Sequence, residues 1–243
     1  MQGGAKKMAN SSKNIIVGAG VVYVGSATGV ERTETDINAN YAANTAGSYQ
    51  TDGVVDNTKF RHVGYTSEGV TFDFSPDYGE VQVDQLLDVA KIYKQGQKAM
   101  IKTTFTESTL ENLFTVIGSQ DSDYNSTASQ IATSKGTLQK FEINGGALGL
   151  TPLERSILVV GPGPEVVTAT SNGGTKSERI YLGYRAVSME SASVAIKRNE
   201  ATVFPVTFRL LASNTQKNNQ GNAATSGSGA NALYGKIIDR VYV

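Results

Sequence analysis

The sequence predicts a mainly β protein, either a β-sandwich or a partly closed barrel, with one short α-helix. Several runs of the 243-residue chain alternate apolar and polar side chains, the period of half-buried strands. The composition, with 26 glycines and 11 tyrosines, favours strands and turns over helices. Only one segment, near 108–117, shows the spacing of an amphipathic helix.

The clearest alternation lies in the central block, 63–118. Its first run, 70–75, places valine and phenylalanine on one face and threonine, aspartate and serine on the other. A second run, 80–84, alternates Glu80, Gln82 and Asp84 with two valines. Because Ser75–Gly79 holds proline and glycine at turn positions, the two runs are predicted to form a hairpin with a short loop. A third strand is predicted at 98–105.

The period then changes to three and four residues, which predicts a helix packed on the β framework. Ser108 and Glu111 stand three apart, as in a capping box, and Gly118 is placed to end the helix. The predicted core face of the helix consists of four apolar residues, Leu110, Leu113, Phe114 and Ile117.

Outside this block, further strands are predicted at 15–24, 137–143, 156–160, 181–188, 191–196, 202–211 and 237–243. Pro205 cannot donate to a ladder, so its strand is predicted to lie at an edge or to contain a bulge. The whole chain, 1–243, is predicted to form one domain. Within it, 1–13 is a flexible N-terminal arm, 28–58 and 212–231 are extended loops, and 119–136 is a polar insertion.

Composition and charge exclude several classes of protein. Lysine plus arginine equals aspartate plus glutamate at 22 each, so no global field indicates nucleic-acid binding. The absence of cysteine excludes disulfides and thiolate metal sites. The N-terminus lacks the apolar core of a signal peptide, and both Met1 and Met8 are candidate starts. The longest apolar run, 15–24, is too short to span a bilayer, so a soluble protein without membrane contact is predicted.

No motif indicates catalysis, a metal site or a cofactor. The glycine clusters at 18–20 and 173–177 lack the spacing of nucleotide-binding loops and are predicted to be turns. His62, the single histidine, cannot form a multi-histidine metal site. Asp73 and Glu80 could in principle act as an acid–base pair, but carboxylates on a strand are usually solvated. The protein is therefore predicted not to be an enzyme.

The central block also carries a resemblance. Its order, "VGYTSEGV", a strand, "EVQVDQ", a strand and "TESTLENL", resembles the central block of bacteriophage major tail proteins, the tail tube proteins. The segment 14–25 is similar to the opening strand of that family, and 201–210 with 234–239 is similar to its closing strands. These loose patterns cover about half of the chain.

The resemblance implies a structural virion protein with a tail-tube-like β fold. Subunits of this family form stacked hexameric rings, and their inner strands join into a barrel around a channel that conducts DNA into the host. The implied partners are further copies of the chain, with a sheath, a tail terminator and baseplate or tail-tip proteins beside them. The protein would be assembled in the host bacterial cytoplasm and located in the virion tail. The loops at 28–58 and 212–231 would reach other subunits.

Charge is segregated along the central block: every charged residue of 63–90 is acidic, and every one of 91–102 is basic. Cross-strand pairing is one explanation. The other follows from the resemblance, because an acidic or mixed lining would let DNA slide without specific binding, whereas a basic lining would hold it. The candidate lumen-lining residues are Asp73, Glu80, Gln82 and Asp84. The sequence leaves open which sheet face lines the channel.

Three other functions are alternatives to a tail tube subunit. Another tail ring protein, such as a terminator or a connector, fits the same patterns. A β-sandwich that binds carbohydrate would need a cluster of exposed aromatic residues, and the chain has no tryptophan. A hydrolase on a β scaffold is disfavoured because no nucleophile motif is present.

Overall fold

The computed structural model describes residues 16, 18–26, 29–38, 59–84, 88–118, 124–130, 137–141, 143, 152–163, 176–189, 194–196, 198–213, 215–216 and 232–242. These ranges contain ten strands and two helices. In chain order they are β1 (Val21–Gly25), α1 (Glu34–Asn38), β2 (Phe60–His62), β3 (Thr66–Gln82), β4 (Val89–Phe105), α2 (Leu110–Ile117), β5 (Tyr124–Gln130), β6 (Thr137–Phe141), β7 (Arg155–Pro162), β8 (Lys176–Ser188), β9 (Phe204–Leu211) and β10 (Gly235–Tyr242).

Eight of the strands form one antiparallel sheet in the order β2-β1-β7-β8-β9-β4-β3, with β10 also paired to β8. The sheet forks at β8, because β7 occupies one side of this strand and two strands share the other. There β10 pairs with Lys176–Gly183, and β9 pairs with Arg185–Ser188. β5 and β6 form a separate two-stranded sheet. The mainly β prediction is confirmed, and among the described strands the large sheet is not closed into a barrel.

The core lies on both faces of β7 and β8. Ile157 and Val159 of β7 belong to one buried cluster with side chains of β1, β4 and β9. Leu158 and Val160 point the other way, into a second cluster that α1 covers with Ile37. A strand buried on both faces needs consecutive apolar residues rather than alternation, which explains this apolar run.

The predicted turn at Ser75–Gly79 is wrong, because β3 runs through it without interruption and pairs with β4. Pro76 sits opposite Gln97 inside the ladder. A proline is tolerated there because β3 is the last strand of the sheet, where a missing N–H leaves no partner unsatisfied. The turn-like composition therefore marks an edge strand with local irregularities, since the register shifts after Asp77.

The helix prediction is correct in place, but its predicted cap is wrong. The N-cap residue is Thr109, whose hydroxyl accepts the N–H of Asn112 at 3.2 Å. Ser108 instead donates to the carbonyl of Thr202. Gly118 ends the helix in the left-handed region, with φ 73°, as expected.

The buried face of α2 is rotated from the predicted core face. Of the predicted residues, Phe114 is buried, Leu110 and Leu113 are half-buried, and Ile117 is 36% exposed. Asn112 is buried instead, because its amide donates to Val63 O at 2.7 Å and accepts from Arg61 at 2.7 Å. A polar network at the base of the hairpin therefore orients the helix, with a buried face made of Asn112, Phe114, Thr115 and Val116.

The edge or bulge predicted for the strand of Pro205 is wrong, because β9 lies between β8 and β4 and its pairings show no register shift. Proline is tolerated because, at Pro205, β9 pairs with β4 only, and its pairing with β8 begins at Phe208. Residues 194–196, the described end of the strand predicted at 191–196, are not in a strand. The predicted loop 28–58 contains α1, and the predicted insertion 119–136 contains β5. Residues 1–13 and most of 28–58 and 212–231 lie outside the described residues.

In the part of the chain that the structure describes, neither helix has the length and apolar character needed to cross a bilayer.

Candidate functional site

The β3–β4 hairpin is the longest paired element, with 17 residues in each strand. The two strands pair from Thr66↔Phe105 at the base to Gln82↔Val89 at the tip. β9 supports β4 only over Met100–Phe105, so the rest of the hairpin extends past its neighbour. We call this projecting half, Phe74–Gln82 with Val89–Lys98, the arm.

The register assigns each side chain of the hairpin to one of two faces. Phe72 lies opposite Ile101, and both pack into the first core cluster, so we call their side the inner face. Asp73 lies opposite Met100 on the outer face. The two register shifts in the arm skip residues of β4 only. The alternation of β3 therefore continues unbroken from Asp73 to the tip.

The four candidate lumen residues do not share a face. Asp73 lies on the outer face, whereas Glu80 and Gln82 are an odd number of positions further along β3 and lie on the inner face. Asp84 follows the end of β3 in the tip turn. The structure therefore separates a set that the sequence grouped. With a turn between the runs 70–75 and 80–84, the sequence could not show which side chains of the two runs share a face. The continuous strand β3 determines this.

The outer face is polar and balanced in charge near the base of the arm. Lys102 Nζ lies 3.6 Å from a carboxylate oxygen of Asp73, and Ser75 Oγ donates to the other oxygen at 3.2 Å. A partly exposed ion pair of this kind contributes about 0–1 kcal/mol, so it matters more for polarity than for stability. Near the base of the arm, the polar side chains of this face are Thr71, Asp73, Ser75, Asp77, Lys98 and Lys102, and Lys91 lies on the same face closer to the tip.

Large apolar side chains are exposed on the arm and at its tip: Phe74, Tyr78, Val81, Val83, Ile92 and Tyr93. Some are held by local packing. A Cβ on Gly79 would lie 2.7 Å from the Tyr93 ring and 2.4 Å from the Gln95 amide, so both side chains cover the backbone of β3 at this glycine. Exposed apolar surface on an ordered element is typical of an interaction site.

A cleft of about 270 Å³ opens at the fork of the sheet, between β10 and the hairpin. Phe72 and Tyr181 stack within it with ring centroids 4.2 Å apart. Phe74 and Ile237 form its lips and are 50% and 59% exposed. The apolar inner face of the arm therefore continues into an open cleft of the body.

Two polar side chains that line the cleft are already bonded. The Tyr234 hydroxyl donates to the carbonyl of Gln97 at 3.0 Å, which ties β4 to the start of β10. The Lys236 ammonium donates to the Glu34 carboxylate at 3.0 Å. A specific small-molecule site needs polar groups that are free to orient the ligand, and these two are engaged with the protein.

A charged cluster lies at the starts of two long polar segments. The Arg185 guanidinium donates to both carboxylate oxygens of Glu154, at 2.6 and 2.7 Å, and to the carbonyl of Ala212 at 2.9 Å. Its Nε also lies 3.7 Å from Glu31. Bidentate pairing with Glu154 raises the pKa of Arg185, so this residue stays charged.

Glu31 connects the two segments directly. Its carboxylate accepts hydrogen bonds from Ser213 at 2.6 Å, from Thr215 and from Gln216 at 3.0 Å. Burial raises the pKa of Glu31, but these bonds and the charge of Arg185 outweigh it, so the pKa lies below its usual value. Sequence reasoning missed this cluster because its members are far apart in the chain and form no motif.

The structure places the residues considered for a metal site and for acid–base work in separate surroundings. The described residues contain no group of three or more histidine, aspartate or glutamate side chains that could hold a metal ion. His62 accepts the N–H of Gly64 at 2.8 Å, and its ring meets the edge of Tyr23. Asp73 and Glu80, the carboxylates considered for acid–base work, lie on opposite faces of the hairpin and do not form a pair.

A scan against protein-family models and a search of curated proteins both returned no match. The resemblance to tail tube proteins therefore stays a prediction from the sequence. The geometry of the arm carries the functional argument.

Proposed function

We propose that this protein is a structural virion protein, a phage tail tube subunit that forms stacked hexameric rings around a channel for DNA. The supporting observation is the arm, which projects past the strand that supports the hairpin and exposes both of its faces. A monomer gains no stability from ordering such surface, whereas an assembly can bury it. The hexameric ring itself comes from the resemblance in sequence.

The open edges of the hairpin support a ring. Among the described residues, β3 has strand pairing on one side only, and so does β4 over Val89–Ala99. Exposed edges invite uncontrolled pairing, and natural proteins cover or close them. When each copy pairs its β3 edge with the β4 edge of the next copy, rotation closes the sheet and no edge of the arm remains.

In the proposed ring the outer face lines the channel. It is the polar face of the hairpin base, where Asp73 and Asp77 balance Lys98 and Lys102, and Lys91 adds one positive charge nearer the tip. The inner face instead continues the apolar core. A mainly basic lining would gain affinity for DNA through counterion release, so a balanced lining favours passage over binding. Asp73 and Asp77 are then lumen residues, while Glu80 and Gln82 face away from the channel.

The proposed partners are further copies of the chain, together with a sheath, a tail terminator and tail-tip or baseplate proteins. The proposed location is the virion tail, after assembly in the host bacterial cytoplasm. No cofactor is part of this function. The segments 28–58 and 212–231, whose starts meet at the Arg185 cluster, are proposed to contact neighbouring subunits.

Negative-stain electron microscopy of the purified protein across a concentration series tests the proposal. We expect rings, and at higher concentration tubes, with a central hole wide enough for duplex DNA. Rings that never stack would favour a terminator or connector instead. A monomer at every concentration, even with a tail-tip complex present, would refute the tube function.

A shortened variant supplies the control. Replacing 77–96 by Asn-Gly joins the paired residues Pro76 and Gln97 through a two-residue turn and leaves the buried core intact. We expect this variant to melt cooperatively and to remain monomeric. Normal rings from the shortened chain would show that the arm is not the interface.

A further inference from the structure

The arm separates its charges by strand. On β3 the charged residues of the arm are Asp77 and Glu80, and on β4 they are Lys91, Lys94 and Lys98. All five side chains are exposed, and none forms an ion pair within the described residues. Lys94 does donate to Gln97, its neighbour on the same strand. One edge strand of the arm is therefore acidic, and the other is basic.

The separation holds on both faces of the hairpin. Asp77 and Lys98 lie on the outer face, and Glu80 and Lys94 lie on the inner face. Residues that are directly or diagonally opposite on adjacent strands share a face and interact. An acidic strand set beside a basic strand would therefore gain favourable pairs on each face.

We propose that this charge separation determines how copies of the chain pair, and that the acidic edge of β3 accepts only the basic edge of β4 from a second copy. The inference rests on the proposed ring and names the contact that closes it. Rotation about an axis along the hairpin preserves strand direction, so β4 of the next copy runs antiparallel to β3. Antiparallel pairing then places opposite charges side by side.

The same arrangement excludes the competing two-fold dimers. A two-fold axis would pair β3 with β3 or β4 with β4, as in any isologous interface. Asp77 and Glu80 would then face their own copies, or the three lysines would face theirs. Like charges on opposing strands are destabilising, so the chain disfavours closed dimers and favours a head-to-tail series.

Two charge-reversal variants test the proposal. The first carries Asp77→Lys and Glu80→Lys, which makes both edges of the arm basic. The second carries Lys94→Glu and Lys98→Glu, which makes the β4 edge largely acidic. We expect each variant alone to need about tenfold higher concentration, or more, to form rings. Melting of each monomer at the wild-type temperature shows that the body is folded.

An equimolar mixture of the two variants is the decisive sample. In an alternating ring every β3–β4 contact between copies again joins opposite charges, while each hairpin keeps its own like charges. We therefore expect the mixture to form rings near the wild-type concentration, which a defect inside each hairpin would not allow. Rings from the wild type combined with a mixture no better than its components would overturn this inference alone. No rings from the wild type, even with a tail-tip complex present, would overturn both proposals.

Discussion

β4 contributes one half to the body of the sheet and the other half to the arm, and the surroundings of the two halves differ completely. From Ala99 to Phe105 the side chains that point inward are buried by β1, β7 and β9. From Val89 to Lys98 every side chain is half-buried or exposed. The body thus satisfies its own apolar surface, whereas the arm keeps its geometry through backbone pairing and leaves its apolar surface for another molecule.

The contrast shows that strand formation and burial are separable. Backbone pairing with β3 keeps the arm extended through two register shifts without a core beneath it. Isolated two-stranded hairpins are marginal in water, so the arm depends on the body that anchors its base. Mutations should therefore act on folding in the body and on assembly in the arm.

The largest effect is expected when isoleucine is replaced by alanine in the body, and the same substitution in the arm is the comparison. Ile157→Ala in the body removes a side chain that is 0% exposed and should lower the free energy of unfolding by about 2–5 kcal/mol. Ile92→Ala in the arm, where isoleucine is 60% exposed, should change it by less than about 0.5 kcal/mol. Chemical denaturation of both variants measures the difference. Equal losses would mean that the arm is part of the folding core.

The body should also lose stability in alkali. Burial, followed by the negative charges of Glu34 and Glu31, raises the pKa of Tyr184 from 10.0 to about 12. The folded state holds the Tyr184 proton more tightly than the unfolded state does. The resulting contribution to the free energy of unfolding, about 3 kcal/mol, is fully present below pH 10 and is lost as the pH rises toward 12. Unfolding curves at several alkaline pH values should show this slope. Tyr184→Phe should reduce it, and an unchanged slope would contradict the assignment.

The smallest effect is expected at the base of the hairpin, where α2 begins. Thr109→Ala removes the hydroxyl that accepts the Asn112 N–H and should cost about 1 kcal/mol. Ser108→Ala leaves that cap in place and removes only an exposed bond to Thr202, so a smaller loss is expected. Thermal unfolding of the pair distinguishes the cap seen in the structure from the capping box of the sequence. A larger loss of stability for Ser108→Ala than for Thr109→Ala would support the capping box predicted from the sequence.

Much of the fold could be predicted from local pattern. Alternation located β3 and β4 because each has one apolar face near its base, and the period of three and four located α2. The turn assigned to Ser75–Gly79 failed because proline and glycine also occur in an edge strand, where the missing N–H has no cost. Because a turn was predicted there, the sequence did not show that one strand continues from Asp73 to Glu80, and the two residues were assigned to the same face.

The features that depend on distant contacts could not be predicted. Asn112 stands between Glu111 and Leu113 in the sequence, and its burial depends on Arg61 and on the carbonyl of Val63. The Arg185 cluster joins four separate segments of the chain. At the fork, β10 and β9 pair with the same side of β8, and the residue pattern of a single strand cannot predict this.

The continuity of β4 has a mechanical consequence. A strand that stays paired with β3 from Val89 to Phe105, through its two bulges, resembles a beam that is fixed where Ile101 and Phe105 are buried and free at its tip. A sideways force on the tip is transmitted along β4. It arrives as torque on the fixed part of the beam, and from there on β9, which pairs with that part. A partner that binds the tip can therefore transmit force to the buried core around Ile101 and Phe105.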